Sequence, residues 1–179
     1  MLTLETERLT FRNWLETDVA SYMLLSTDVG YNCFSPPGRF LVRSPEEARE
    51  RIQERIDLFD RQRLGKFPVF LKATGEFVGT CGMEPFELEG KSEVELGYRL
   101  CLKHWGHGYG KEAARAILEY GFGPLNRAKI MAFVLPQNRA SVKILENLGF
   151  MYQREFMHYD IPHRLYELRR DRFRAGNAI

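Results

Sequence analysis

The stretch Ser92-Glu93-Val94-Glu95-Leu96-Gly97-Tyr98-Arg99-Leu100-Cys101-Leu102, followed two residues on by Trp105-Gly106-His107-Gly108-Tyr109-Gly110-Lys111-Glu112-Ala113, decides the fold. Alternation puts Val94, Leu96, Tyr98, Leu100 and Leu102 on one face. Glu93, Glu95, Gly97, Arg99 and Cys101 fall on the other, which predicts a strand over 92–102. Ala113, Ala114, Ile117, Leu118 and Gly121 then recur at helical spacing, which predicts a helix through about Phe122. Three glycines at alternate positions join the two. Such a turn lets backbone amides converge on an anion at the positive end of a helix dipole. Glycine suits it because a Cβ would obstruct the close approach. Lys111 adds a positive charge at the mouth.

Two rival phosphate motifs do not fit. A dinucleotide fingerprint needs a third glycine where Lys111 stands. A Walker loop needs glycine at 105 and Ser or Thr at 112, which here are Trp105 and Glu112. Taken alone, the pattern is also readable as a tight strand-to-helix turn.

Downstream, 128–135 is a near-continuous apolar strand, as expected of a central position. A helix over 138–148 follows, with Asn138 as its N-cap, Gly149 as a left-handed C-terminal cap and Phe150 folded back on Leu145. The segments 152–159 and 164–169 close as an antiparallel pair. Upstream, 67–73 and 77–83 are strands joined at Thr74-Gly75-Glu76, and 87–91 is a second hairpin turn. Ser44-Pro45-Glu46-Glu47 starts a helix to about Arg63, with a capping box from Ser44 and Glu47. Residues 2–12 read as a first strand and 18–25 as a short helix. The loop 26–43 carries Tyr31, Phe34 and Phe40, which serve as loop anchors or as substrate contacts. The order is strand, two helices, three strands, helix, strand, helix, two strands. That is an α+β chain with a mixed sheet and helices packed on it.

Bulk properties narrow the function. The 179 residues suit one domain, 1–179, with 44% hydrophobic and 28% charged residues. A net charge of +2 gives no electrostatic case for nucleic acid. The basic stretch 164–174 also holds Glu167 and Asp171, so it reads as solvated surface. Cys33, Cys81 and Cys101 show no metal-ligand spacing and fit a reduced, cytoplasmic setting. The acidic N-terminus is unlike a signal peptide, and no apolar run approaches the ~20 residues of a membrane span. His104 and His107 lack a third ligand, so no metal is expected. His158 and His163 flank a turn at 160–162 as surface or cleft residues.

The glycine turn, together with Asn138-Arg139-Ala140-Ser141 and the following Leu145, Leu148, Gly149 and Phe150, resembles the GNAT superfamily of N-acetyltransferases. Leu4-Glu5-Thr6-Glu7-Arg8-Leu9 and the run Trp105 to Ala113 resemble its ribosomal-protein alanine N-acetyltransferase branch. The resemblance covers nearly the whole chain. It implies a mostly antiparallel sheet of about seven strands with four helices, splayed between the fourth strand (92–102) and the fifth (128–135).

The resemblance also implies acetyl-CoA as co-substrate. Its pyrophosphate would rest on the turn at His107, Gly108, Tyr109, Gly110 and Lys111. Its pantetheine arm would pair with Leu100, Cys101 and Leu102 and bond to Asn138, with Ser141 near the thioester. Glu95 is the implied base and Ser141 the remaining general acid, since Leu145 stands where other branches carry a tyrosine. Glu84 is the reserve base. Glu95 is equally readable as part of an ion-paired surface stripe with Glu93 and Arg99. The expected acceptor is the N-terminal amine of a protein, such as a ribosomal protein; the alternative is a small amine such as a polyamine, amino acid or antibiotic. A non-catalytic acyl-CoA-binding protein is the remaining alternative. A peptide groove should be open and acidic, a small-amine pocket closed and aromatic. The family admits a homodimer, which the sequence does not read.

Overall fold

The structure is a computed structural model that describes residues 2–35, 41–158 and 160–176. At its centre are β4 (Phe77–Leu88) and β5 (Lys91–Leu100). A two-residue turn joins them, with Glu89 at φ 52° and Gly90 at φ 74°. Two successive left-handed residues match the twist of an antiparallel hairpin and fix Leu88 opposite Lys91.

β1 (Thr3–Glu5), β2 (Leu9–Arg12) and β3 (Gly65–Leu71) extend the sheet on one side, and β6 (Lys129–Val134), β7 (Met151–His158) and β8 (Ile161–Arg169) on the other. The order is β1-β2-β3-β4-β5-β6-β8-β7. Among the described residues, β5 and β6 are parallel and register only at Glu95 and Met131; the other neighbours are antiparallel. The expected splay therefore lies just beyond Glu95.

Helices cover both faces. The described helices are α1 (Val19–Thr27), α2 (Val29–Asn32), α3 (Pro45–Gln62), α4 (Tyr109–Phe122), α5 (Arg139–Asn147) and α6 (Arg170–Gly176). Ala113, Ala114, Ile117 and Leu118 of α4 are fully buried in the larger core. Burying one such large aliphatic side chain contributes roughly 1.5–3 kcal/mol. A second cluster of Trp14, Tyr22, Leu25, Tyr31, Val42, Ala48, Ile52, Phe77 and Cys101 lies beneath α1 to α3.

Three local expectations need correcting. The first strand is a hairpin, because Thr6 turns the chain by donating its amide to Leu9 O at 2.9 Å. The segment 26–43 is not all loop: α1 reaches Thr27, and α2 forms because Asp28 caps it, accepting from Tyr31 N at 2.8 Å. Pro36, Pro37, Gly38 and Phe40 lie outside the described residues, as does Tyr159. At α3, Ser44 caps as expected, accepting from Glu47 N at 3.2 Å. Glu47 accepts from Arg43 N, one residue before the position a capping box uses. Gly149, at φ 92°, and the bond from Phe150 N to Leu145 O at 3.0 Å close α5 as its sequence predicts.

Candidate functional site

The head of α4 is built to leave its amides unspent. Its N-cap is Gly108, at φ 81°, which has no side chain to cap with. The first helical bond runs from Glu112 N to Gly108 O at 3.2 Å. The N–H groups of Tyr109, Gly110 and Lys111 thus precede the ladder and point along the positive end of the dipole. Gly110 is buried, and a Cβ there would sit 3.4 Å from Ile144 Cδ1 and 3.7 Å from Leu100 Cδ1. Its lack of a side chain lets α4 begin close against β5 and α5.

Glu112 fixes this turn to the N-terminus. It accepts from Thr6 Oγ1 at 2.5 Å, Arg8 N at 2.9 Å and Arg8 Nε at 2.7 Å. Burial alone would raise its pKa, but the bonds from Thr6 and Arg8 outweigh it and hold the carboxyl below its ordinary value. Arg8 also donates to His107 O at 3.0 Å and lies 4.6 Å over the Tyr109 ring. The two strings that resembled one branch of the family are therefore one physical clamp.

Beside this turn the sheet is parted. Cys101 N donates to Val78 O in β4 at 2.9 Å. Strand alternation then turns the backbone groups of Tyr98 and Leu100 towards β6, where the ladder has ended. The Leu100 carbonyl accepts the Trp105 indole N–H at 2.9 Å, and Trp105 in turn stacks on Phe34. Opposite, Asn138 Oδ1 accepts from Ser141 N at 3.1 Å, and Tyr98 OH donates to Ser141 O at 3.3 Å. The Asn138 cap uses its oxygen, while an amide nitrogen carries two further donors.

A cleft of about 750 Å³ runs through the parting. Leu100, Gly108, Tyr109, Gly110, Lys111, Asn138 and Ser141 line it, as do Glu95, Glu84, Tyr31 and Phe34. Three expected residues do not. Cys101 is fully buried in the second core, and burial pushes its thiol up to about 11. The strand ends at Leu100, so Leu102 escapes the alternation: its side chain is half exposed and its amide donates to Asp28 Oδ1 at 3.0 Å. His107 is exposed, with its ring stacked on Tyr109. Phe40 lies outside the described residues.

The opposite face of β5 carries the charges. Lys66 pairs with Gly82, and Gly82 with Gly97, across three adjacent strands. The Lys66 side chain lies over Gly97, where a Cβ would come within 2.4 Å of its Nζ. It ends 2.7 Å from Glu95 Oε1, with side-chain exposures of 16% and 12%. Both groups are thus largely out of bulk water, where the pair is coupled. Burial pushes the Lys66 ammonium below its usual range, and Glu95 pulls it back up. Arg55 of α3 likewise holds Glu84. Tyr31 OH and Thr80 Oγ1 share a hydrogen bond of 2.9 Å, and Thr80 is the register partner of Arg99. Arg55, Lys66, Thr80 and Phe133 line the cleft and escaped the sequence reading; Arg99, read as part of a stripe with Glu93 and Glu95, and His163, read as a surface or cleft residue, line it too. Gly97, a glycine inside a strand, was the available signal for a side chain crossing β5 there. His163 is buried, with Nδ1 2.9 Å from Ile161 O.

The arrangement offers uncapped amides for a polyanion and open strand backbone for an extended arm. A buried carboxylate–ammonium pair stands on the far side. Among the described residues no three His, Cys, Asp or Glu side chains converge as a metal site, and no helix is long and apolar enough to cross a membrane.

Comparison with known proteins agrees with this geometry. The acetyltransferase (GNAT) domain family matches residues 8–151. An uncharacterized N-acetyltransferase, p20 of Bacillus licheniformis, is 34% identical over 164 residues, covering 84% of this chain and 83% of that protein. The uncharacterized protein YkkB of Bacillus subtilis (strain 168) is 41% identical over 96 residues, or 54% of this chain and 56% of that one. The ribosomal-protein-S5-alanine acetyltransferase of Vibrio fischeri has the same fold, with a TM-score of 0.79 at 22% identity over 97% of this chain and 99% of that chain. Since the family match runs across both halves of the parted sheet, from the clamp residue Arg8 to the first residue of β7, the chain belongs to the GNAT family of acetyl-CoA-dependent N-acetyltransferases.

Proposed function

We propose that the chain transfers an acetyl group from acetyl-CoA directly to the primary amine of a small molecule held on the polar face of β4 and β5. The observation that carries this reading is the state of the cleft's carboxylates. Glu84 and Glu95 are both held by cations, and Tyr31, Phe34 and Phe133 line the cleft beside them. This matches an aromatic amine pocket better than an acidic peptide groove.

The residues fit the co-substrate. The amides of Tyr109, Gly110 and Lys111, with the Lys111 charge, would hold the pyrophosphate. The Tyr98 and Leu100 backbone and the Asn138 amide would hold the arm. Acetyl-CoA then supplies an activated carbonyl at the parting, and the acceptor approaches from the opposite face of β5.

Attack requires a neutral amine. At pH 7 an α-amino group costs only about 1–1.5 kcal/mol to deprotonate, against about 4.5 kcal/mol for a lysine amine. Glu95, ion-paired with Lys66, takes that proton directly or through water. The parallel register engages the Leu96 amide with β6, so the Tyr98 amide faces the parting and stabilises charge developing on the carbonyl oxygen. Sulfur leaves readily, so Ser141 need give only weak acid assistance.

Thiol release from acetyl-CoA, measured against small amines and N-terminal peptides, tests the proposal. Turnover of small amines with peptides inert is the expected result. Turnover of peptides alone would assign the acceptor to a protein N-terminus, and CoA binding without turnover would indicate a non-catalytic binder.

A further inference from the structure

The acceptor side of the cleft carries more positive than negative charge. Arg55, Lys66 and Arg99 line it, against Glu84 and Glu95. Those two carboxylates are already engaged by Arg55 and Lys66. A second cavity of about 280 Å³ adjoins the cleft and shares Tyr31, Arg55, Lys66 and Thr80 with it. Its wall adds Arg51 and Glu54, which pair with each other, so it brings no net negative charge. Arg55 and Lys66 at the junction of the two cavities are thus balanced by Glu84 and Glu95, and the further cation among the described lining residues of the acceptor side is Arg99, beside the hydroxyl groups of Tyr31 and Thr80.

Arg99 is the cation best placed to use. Thr80 is its neighbour across the strand pair, and its guanidinium lies 6.0 Å from the Tyr31 ring, donating to Tyr31 O at 3.4 Å. Arg99 and Glu95 share one face of β5, four residues apart, so their Cα atoms are separated by about 13 Å. Both residues line the one cleft, so an acceptor a few bonds long can face Glu95 at one end and Arg99 at the other.

We propose that Arg99, with the Tyr31–Thr80 hydroxyl pair, forms an anion subsite that selects amine acceptors bearing a carboxylate. The guanidinium, with the one hydroxyl hydrogen that the Tyr31–Thr80 bond leaves over, supplies the donors a carboxylate takes, in a cleft where the bond is worth more than in water. A polyamine would bring a second cation to the same place and find both carboxylates occupied. This inference rests on the acetyl-transfer reading above and narrows its acceptor class.

The test compares three acceptors of one carbon skeleton with the full-length chain: an α-amino acid, its carboxamide, and the diamine that replaces the carboxylate with an aminomethyl group. Thiol release from acetyl-CoA gives kcat/KM for each. The expected order places the amino acid about tenfold or more above both others, although the amide has the more easily deprotonated amine. Arg99→Gln should bring the acid-to-amide ratio towards one, mainly through KM for the acid, and Arg99→Lys should keep part of the preference. Equal or better turnover of the amide or diamine by the unaltered chain overturns the subsite. So does an Arg99→Gln protein that retains the full ratio. If no amine of any class turns over while CoA binds, acetyl transfer itself fails, and the subsite with it.

Discussion

Lys66 and Glu95, 29 positions apart, meet at 2.7 Å because Gly97 leaves room for the lysine side chain to cross, while Gly82 lets the β3 backbone come close. Removing one partner leaves a charge in a largely buried place. We expect Lys66→Met to cost about 3 kcal/mol in urea unfolding. Replacing both, as Lys66→Met with Glu95→Leu, should cost less than the sum of the single changes, by 1 kcal/mol or more on the order of buried pairs. Additive costs would show that the pair is not coupled.

Glu95→Gln should lower kcat by about a hundredfold or more if Glu95 is the base, and flatten the acidic limb of the pH–rate profile. An unchanged rate and profile would remove Glu95 from the proton transfer. Lys66 gives a second readout. Without Glu95 its ammonium loses the charge that holds its proton, so its pKa should fall further, visible by nitrogen NMR of labelled lysine.

The clamp on Glu112 should be pH-dependent. Its carboxyl is held below the ordinary carboxylate value in the fold, so the folded state favours the ionised form. That contribution is complete above the unfolded pKa, near about 4.3, and is lost as pH falls through the lower folded value. Glu112→Gln should therefore cost about 2 kcal/mol at pH 7. Its unfolding curve should converge on that of the unaltered chain as the solution is acidified below pH of about 4. A difference that persists in strong acid would mean that shape, not charge, holds the clamp.

Gly108→Ala places a Cβ at φ 81°, 3.5 Å from Arg8 Nη2. The left-handed conformation alone costs about 1–2 kcal/mol. Since the same residue opens the amide cradle, CoA affinity by calorimetry should fall by about tenfold. Unaltered affinity would place the pyrophosphate elsewhere.

Asn138 is assigned two roles that one substitution separates. Asn138→Asp keeps an oxygen to cap α5 and loses the side-chain donors. It should keep stability and weaken CoA binding. Asn138→Ala should weaken binding and also lose about 1 kcal/mol of stability. If the aspartate variant binds CoA normally, Asn138 is a cap and nothing more.

The glycine-rich turn and the helix α4 that follows it were legible because their signals are local. Glycine at 106, 108 and 110 and the stripe from Ala113 to Leu118 require no knowledge of distant residues. Alternation over 92–102 was legible only as far as the strand goes. No proline or glycine marks the stop at Leu100, so Leu102 was assigned to a face it does not occupy, while Cys101 keeps the Arg99 face but is sealed in the second core away from the cleft. The short α2 has no period to detect; it exists because Asp28 caps it and Gly30 lies against the Leu102 backbone. The acceptor side was least legible. Lys66 and Arg99 come from strands whose register is set by pairing across the sheet, and Arg55 from the helix α3, and no spacing along the chain encodes how the three meet.

Glu112 bears on how the protein reaches its native state. It ties the turn to residues 6 and 8, more than a hundred positions earlier. The loop it closes spans most of the chain, and such long closures come late and slowly. During synthesis the N-terminal hairpin emerges first and must wait for α4 before its contacts are complete. The turn at the head of α4, where the coenzyme is proposed to bind, is thus among the last parts to assemble, so a chain that binds coenzyme there has already passed its slowest closure. Added coenzyme should then stabilise finished molecules without hastening the folding of unfinished ones.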